Sequence, residues 1–340
     1  ATETACPGMA LLAEAIVSPR QIMQYFGSGH FEGKEAQLAY NATHMALQWD
    51  ALATGKTGVM MAAQPVIAQK PRSCTWINYT RCHDDIGLGY EDEMIEKAGY
   101  NPYAHRNFMK EYYAGVYAGS TSSGALFSVN PKNEDARISG SLASLCGLEK
   151  AISAQDETAI ALAIQKILLM QAHCIFLGGI PMLYYGDEAG YTNDYAYVQD
   201  AGRNYDNRWM HRPIIDWNKN ERRKQKGTIE NRIFIATQKL LKIRQSLELL
   251  NDDNNTFWLD SHNFHIASYV RTAGKRKLYC LFNFSARDCR IAPGHIIGNE
   301  WPSGGCYDHW SGKRLLKDLP EEPLLLSAYS FCLLDNEVFK

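Results

Sequence analysis

Three short apolar runs in the first part of the chain stop abruptly on ionisable side chains. Residues 9–17 carry Glu14 near their end, residues 74–80 run straight into Arg81-Cys82-His83-Asp84-Asp85, and residues 178–186 run into Asp187-Glu188. A fourth, shorter candidate covers residues 35–40. Runs this short and this apolar read as strands covered on both faces, the condition of a parallel sheet. Between them, residues 43–53, 56–69, 156–172 and 229–245 have helical length and spacing. Strands alternating with helices imply an α/β fold.

The rhythm changes near residue 250. Residues 265–271, 277–284 and 329–334 alternate or run as strands, separated by turn residues such as Ala273-Gly274 and residues 302–305. An α/β part is therefore followed by an all-β part. A length of 340 residues suits two domains at roughly 150 residues each. Residues 86–150 fit neither pattern, being rich in Gly, Ser, Asn and Tyr, and read as a long insertion with a small fold of its own.

Composition removes several functions. Lys plus Arg total 35 and Asp plus Glu 37, a formal net charge of −2. A protein that neutralises nucleic-acid phosphates carries a basic excess instead. The most apolar stretch, residues 158–185, is interrupted by Gln165, Lys166, Gln171, His173 and the Gly178-Gly179 pair, so no membrane-spanning helix is expected. The nine cysteines are scattered, odd in number and lack any CxxC spacing. That pattern supports neither a zinc site nor a disulfide framework, and it favours free thiols in a reducing, cytoplasmic compartment. No signal peptide is seen, and the first residue is Ala1 rather than Met. Seven Trp, 19 Tyr and 12 Phe suit a sugar-binding cleft and an ordinary core equally well.

In a (β/α) barrel the loops at the carboxyl ends of the strands converge, so clusters distant in sequence form one site. Carboxylates gathered there suit glycoside chemistry: one protonates the leaving oxygen while another attacks or stabilises an oxocarbenium-like centre.

Three segments carry a resemblance to a known family. Ala13-Glu14-Ala15-Ile16-Val17, Arg81-Cys82-His83-Asp84-Asp85-Ile86-Gly87 and Gly179-Ile180-Pro181-Met182-Leu183-Tyr184-Tyr185-Gly186-Asp187-Glu188 resemble the α-amylase superfamily of retaining glycosidases and transglycosylases, glycoside hydrolase family 13. Within it, Asn41-Ala42-Thr43-His44-Met45-Ala46-Leu47-Gln48-Trp49 and Asp206-Asn207-Arg208-Trp209-Met210-His211-Arg212-Pro213 look like the amylosucrase group. The likeness runs from about residue 9 to the C-terminus and implies a (β/α)8 barrel followed by a β-sandwich. On that reading residues 1–85 hold barrel strands five to seven and residues 86–150 the inserted subdomain. Residues 151–250 then hold the last helices and strand eight, and residues 251–340 the sandwich.

The resemblance also implies roles. Glu14 matches the general acid/base, Asp84 the carboxylate that stabilises the transition state, and His83 the histidine bonding the same sugar ring. Asp85 and Arg208 match residues of a sucrose pocket, and Arg137 an arginine on the acceptor side. Asp187 and Glu188 are expected to be structural, and His211 and Arg212 receive no catalytic role. The implied substrates are sucrose and an α-glucan or maltooligosaccharide. No cofactor or catalytic metal is implied, although a structural calcium stays open, as does the oligomeric state. Hydrolysis of sucrose or another α-glucoside, and a non-catalytic glycan-binding role, are the alternatives.

The largest departure is the nucleophile. The family's nucleophilic aspartate belongs to a strand ahead of the acid-bearing one, and no aspartate precedes Glu14 here. The carboxylate expected to pair with Arg208 should also lie upstream. The expectation is therefore a C-terminal portion holding barrel strands five to eight, inactive alone and poorly soluble through its open strand edges.

Overall fold

The computed structural model describes residues 2–131, 134–251, 254–298, 305–315 and 323–337. Of the turn expected at residues 302–305, only Gly305 lies among them.

The α/β part begins with β1 (Leu12–Ala13) and β2 (Leu38–Tyr40). Asn41 ends β2 and caps the next helix, Ala42–Thr54, its side chain accepting from the His44 amide. Gly55, in the left-handed region at φ 65°, stops that helix, as a residue without Cβ does most cheaply. Helix Gly58–Ile67 returns the chain to β3 (Thr75–Tyr79). The insertion follows, with helices Asp92–Lys97 and Pro102–Tyr113 and a hairpin of β4 (Ala125–Phe127) and β5 (Arg137–Ser139). An isolated bridge between Ile86 and Ile138 ties this hairpin to the segment leaving β3. Helix Glu157–Phe176, capped by Asp156, then leads to β6 (Ile180–Met182), and helix Ile229–Ser246 closes the layer.

β1, β2, β3 and β6 form one parallel sheet in the order β1-β2-β3-β6. All four carboxyl ends therefore open on the same side, which brings Glu14 and the residues after Tyr79 together. The runs expected as buried strands at residues 9–17 and 178–188 are corrected in two respects. Their strands are short, and Leu12 and Ile180 are 44% and 47% exposed. The reason is position: β1 and β6 are the two edges of this sheet, so apolar composition there does not mean enclosure.

The insertion has its own hairpin but not its own core. Ile86, Met94, Ile95, Met109, Tyr113 and Leu145 join the hydrophobic cluster that holds Ala39, Trp76 and Ile167. Helix Glu157–Phe176 is long and apolar enough to cross a membrane by length and composition, contrary to the expectation from its polar interruptions. In the fold 72% of its apolar window is buried inside the protein, where it packs against helices Leu148–Ser153 and Ile229–Ser246.

Beyond residue 250 come β7 (Thr256–Trp258), β8 (Ile266–Ala273), β9 (Arg276–Asn283), β10 (Cys289–Ile291), β11 (Cys306–Asp308), β12 (Lys313–Leu315), β13 (Leu324–Leu326) and β14 (Phe331–Asp335). Six form an antiparallel sheet in the order β12-β11-β14-β9-β8-β7, and β10 pairs with β13 apart from it. Strand alternation divides the large sheet's side chains cleanly. Ala267, Tyr269, Leu278, Cys280, Phe282, Phe331 and Leu333 pack toward the α/β part. Ile266, Val270, Tyr279, Leu281, Cys332 and Leu334 pack instead on Ile291, Ile296 and Leu326.

Candidate active site

Glu14 follows the last residue of β1, and His83 and Asp84 lie four and five residues beyond β3 (Tyr79 is its end). The parallel pairing brings them side by side. His83 Nε2 lies 3.5 Å from Glu14 Oε1 and 3.6 Å from Asp84 Oδ2, too long for firm hydrogen bonds. These side chains are accessible: Glu14 and His83 are each 47% exposed and Asp84 25%.

Arg208 completes the group from the turn Asn207–His211. Its Nη1 donates to Asp84 Oδ1 at 2.9 Å, while Nε and Nη2 bind Asp206 at 2.8–3.0 Å. Asp206 and Asp84 are its carboxylate partners among the described residues. The Arg208 hydrogen bonds hold the Asp206 carboxyl below the usual carboxylate range, and Asp206 in turn raises the guanidinium. Asp84 is accordingly held on one oxygen by a cation, with its other oxygen toward His83.

Arg212, to which no catalytic role was attached, donates from Nε to the His83 carbonyl at 2.7 Å and brings Nη2 within 3.6 Å of Asp84 Oδ1. It is a positioning residue for the His83–Asp84 turn. Its signal in the sequence was membership of the same motif as Arg208, four residues on. Tyr40, at the end of β2, is a second residue the sequence did not single out. Partial burial, then the nearby charges of Glu14, Cys82 and Asp84, raise its hydroxyl pKa.

Asp85 and Arg137 meet each other instead of joining the Glu14 cluster. Arg137 Nη1, on the hairpin, donates to Asp85 Oδ2 at 3.3 Å in the segment leaving β3. The Asp85 side chain, expected to belong to a sucrose pocket, is fully buried beneath that contact.

Asp187 is structural, as expected. It takes Arg81 Nε at 2.9 and 3.1 Å and Nη2 at 2.8 Å, with both side chains 1% exposed. Arg81 Nη1 also donates to the His211 carbonyl at 2.9 Å, and the guanidinium lies 4.5 Å from the Tyr184 ring. Burial pushes the Asp187 carboxyl up to about 6 against the pull of Arg81. Burial, with the neighbouring arginines, lowers the His211 imidazole to about 3, so it is neutral there. This cluster fastens the end of β3 to the loop after β6, and so fixes where His83 and Asp84 emerge.

Glu14, His83 and Asp84 each offer a donor atom within 4.8 Å of the others, close enough to share a cation. Arg208 and Arg212 beside Asp84 already supply positive charge there, which opposes a metal ion at the same carboxylate.

No protein-family model matches the chain. In sequence it is similar to glucosylglycerate phosphorylase of Escherichia coli (strain K12), 24% identical over 88% of this chain and 52% of that protein. Among solved structures it resembles sucrose 6F-phosphate phosphorylase from Thermoanaerobacter thermosaccharolyticum, with TM-score 0.58 and 16% identity over 83% of this chain and 49% of that one. It also resembles an α-amylase from H. orenii, with TM-score 0.55 and 13% identity over 98% of this chain and 55% of that one. The fold is that of the α-amylase-like barrel enzymes with a C-terminal sheet domain. The chain spans about half the length of the proteins it matches.

Proposed function

We propose that this chain carries the acid/base side of a retaining α-glucosyl-transfer site of the α-amylase family, acting on sucrose and passing glucose to an α-glucan with release of fructose. The observation that supports the reading is the convergence of Glu14, His83, Asp84 and Arg208 at the carboxyl ends of parallel strands. That is where barrel enzymes assemble chemistry from separate strands.

In this reading Glu14, protonated, gives its proton to the bridging oxygen as the glucosyl–fructose bond breaks. Asp84 and His83 bind the ring hydroxyls as positive charge grows at the anomeric carbon. Glu14, now a carboxylate, then takes the proton of the incoming hydroxyl. Retention needs a second carboxyl about 5–5.5 Å from the first as nucleophile. Asp84 is engaged by Arg208, so we assign the nucleophile to a strand outside these 340 residues and read β1, β2, β3 and β6 as strands five to eight of the barrel.

The 340-residue polypeptide is accordingly expected to leave sucrose intact, and turnover by it overturns the assignment. A longer polypeptide with the preceding strands should release fructose, and Glu14→Gln should abolish that release. A second reading, phosphorolysis, is favoured by the similarity to two phosphorylases. Incubation with sucrose plus glycogen, plus inorganic phosphate, or with neither, separates polymer extension, glucose 1-phosphate and hydrolytic glucose.

A further inference from the structure

The loop after β6 shapes a second concave surface, a cavity of about 390 Å³ whose lining includes Tyr185, Glu188, Trp217, Asn220, Arg223 and Phe234. That volume lies within the ~300–1,000 Å³ of small-molecule sites. Trp217 is 72% exposed and Tyr185 42%, so two large rings face solvent at its rim. Asn220, by contrast, is 9% exposed, and its Oδ1 is buried with no hydrogen-bond partner. A buried amide oxygen without a donor is a site waiting for one.

The charges select among ligands. Arg223 is committed within the protein: Nη1 donates to the Asn220 carbonyl at 2.7 Å and lies 3.5 Å from Glu221 Oε1, and the guanidinium stands 5.6 Å from the Phe234 ring. Glu188 adds a carboxylate. An anion would be repelled by that carboxylate, and Arg223, the cation in the lining, already faces the Glu221 carboxylate. A purely apolar ligand would desolvate Glu188 and Asn220 Oδ1 without supplying donors. A pyranose meets both demands: its C–H face covers an aromatic ring, and its hydroxyls donate to the Glu188 carboxylate and, once the Asn220 side chain turns outward, to its amide oxygen.

We propose that this cavity binds one or two glucose units of an α-glucan, apart from the Glu14 cluster. The choice of glucan, though not of a sugar, rests on the function proposed above. The Tyr185 hydroxyl donates to the Pro213 carbonyl at 3.1 Å, and the neighbouring Arg212 holds the His83 carbonyl. One short segment therefore joins the rim of the cavity to the catalytic turn, and a polymer held at Trp217 is kept near it.

The test is binding by the 340-residue chain, read as retardation in native gels containing glycogen and as calorimetric titration with maltoheptaose, with cellohexaose as control. Trp217→Ala should weaken maltoheptaose binding at least 10-fold, and Asn220→Leu should weaken it severalfold. Leu325→Ala, at an exposed residue of β13 outside both sites, should leave it within twofold. Because Trp217 is exposed, its removal does not put folding at risk, and far-ultraviolet circular dichroism checks this. Unchanged affinity in Trp217→Ala, or no binding by the unaltered chain, overturns the proposal. Binding needs no nucleophile. A chain that binds maltoheptaose through Trp217, while no longer polypeptide cleaves sucrose, keeps this inference and removes the function proposed above.

Discussion

Two clusters built from the same residue types stand a few residues apart at one end of the parallel sheet. Arg81, Asp187 and His211 are buried and bound to one another. Arg208, Asp84 and His83 use the same groups in view of solvent, with Glu14 added. A charge pair taken from water is held by geometry and cannot exchange partners for a ligand, whereas one left wet can. Burial, not residue type, separates the fastening from the site.

The largest expected effect tests that division directly. Arg81→Met leaves Asp187 buried without its partner and should cost about 3–5 kcal/mol of unfolding free energy. Glu14→Gln, at an exposed position, should change it by no more than about 0.5 kcal/mol. Urea unfolding of both variants measures the contrast, and equal losses would collapse the two clusters into one.

Acid should act on the buried side first. His211, with the stacked and buried pair His44 and His173, is lowered by burial, His44 and His211 to about 3. The unfolded chain binds protons at these positions below about pH 6.5 and the folded chain does not, so stability falls as pH drops. His44 and His211 each contribute a slope of up to about 1.4 kcal/mol per pH unit. Asp187, raised to about 6, opposes one of them between its unfolded value of about 4 and that pH. With Asp187 set against one of His44 and His211, the net loss between pH 6 and 4 is at least about 1.4 kcal/mol per unit, and His173 adds in the same direction. A flat stability profile over that window would contradict the burial of these rings.

On the exposed side the effects shrink. Asp206→Asn removes the carboxylate that orients Arg208, and with that cation a third exposed the loss should be about 1 kcal/mol. The depressed carboxyl gives its stabilisation above about pH 4 and loses it as pH falls through the folded value. The smallest effect is on thiols. Cys82 sits between Arg81 and His83, and burial pushes it up to about 11. Eight of the nine cysteines are buried and Cys6 is exposed. An aromatic disulfide reagent should therefore titrate one thiol in the native chain and nine in urea. Rapid reaction of Cys82 would show that the exposed cluster extends further toward Arg81 than described.

Much of this was legible beforehand. Strand β3 and helices Ala42–Thr54, Glu157–Phe176 and Ile229–Ser246 lie within a few residues of their sequence readings, because apolar spacing and the caps Asn41, Asp156 and Thr228 act over one or two turns. The runs at β1 and β6 misled, since an apolar strand looks the same at an edge as in the centre. Glu14, His83 and Asp84 could be picked out because each breaks or ends an apolar run. Asp206 and Arg212 stand in the same motif as Arg208, but a charged residue in a loop carries no local sign of which group it will pair with.

The sequence by itself determined the order of the elements, the switch to period-two strands near residue 250, and which side chains could do acid/base work. Only the tertiary structure decided that Arg208 is held by Asp206 and Asp84, that Asp85 is spent on Arg137, and that Asn220 Oδ1 waits beneath an exposed Trp217. The reason is range. Periodicity and capping are properties of neighbouring residues, whereas burial and ion-pair choice depend on groups as much as 130 residues apart that meet only when the sheet aligns its carboxyl ends.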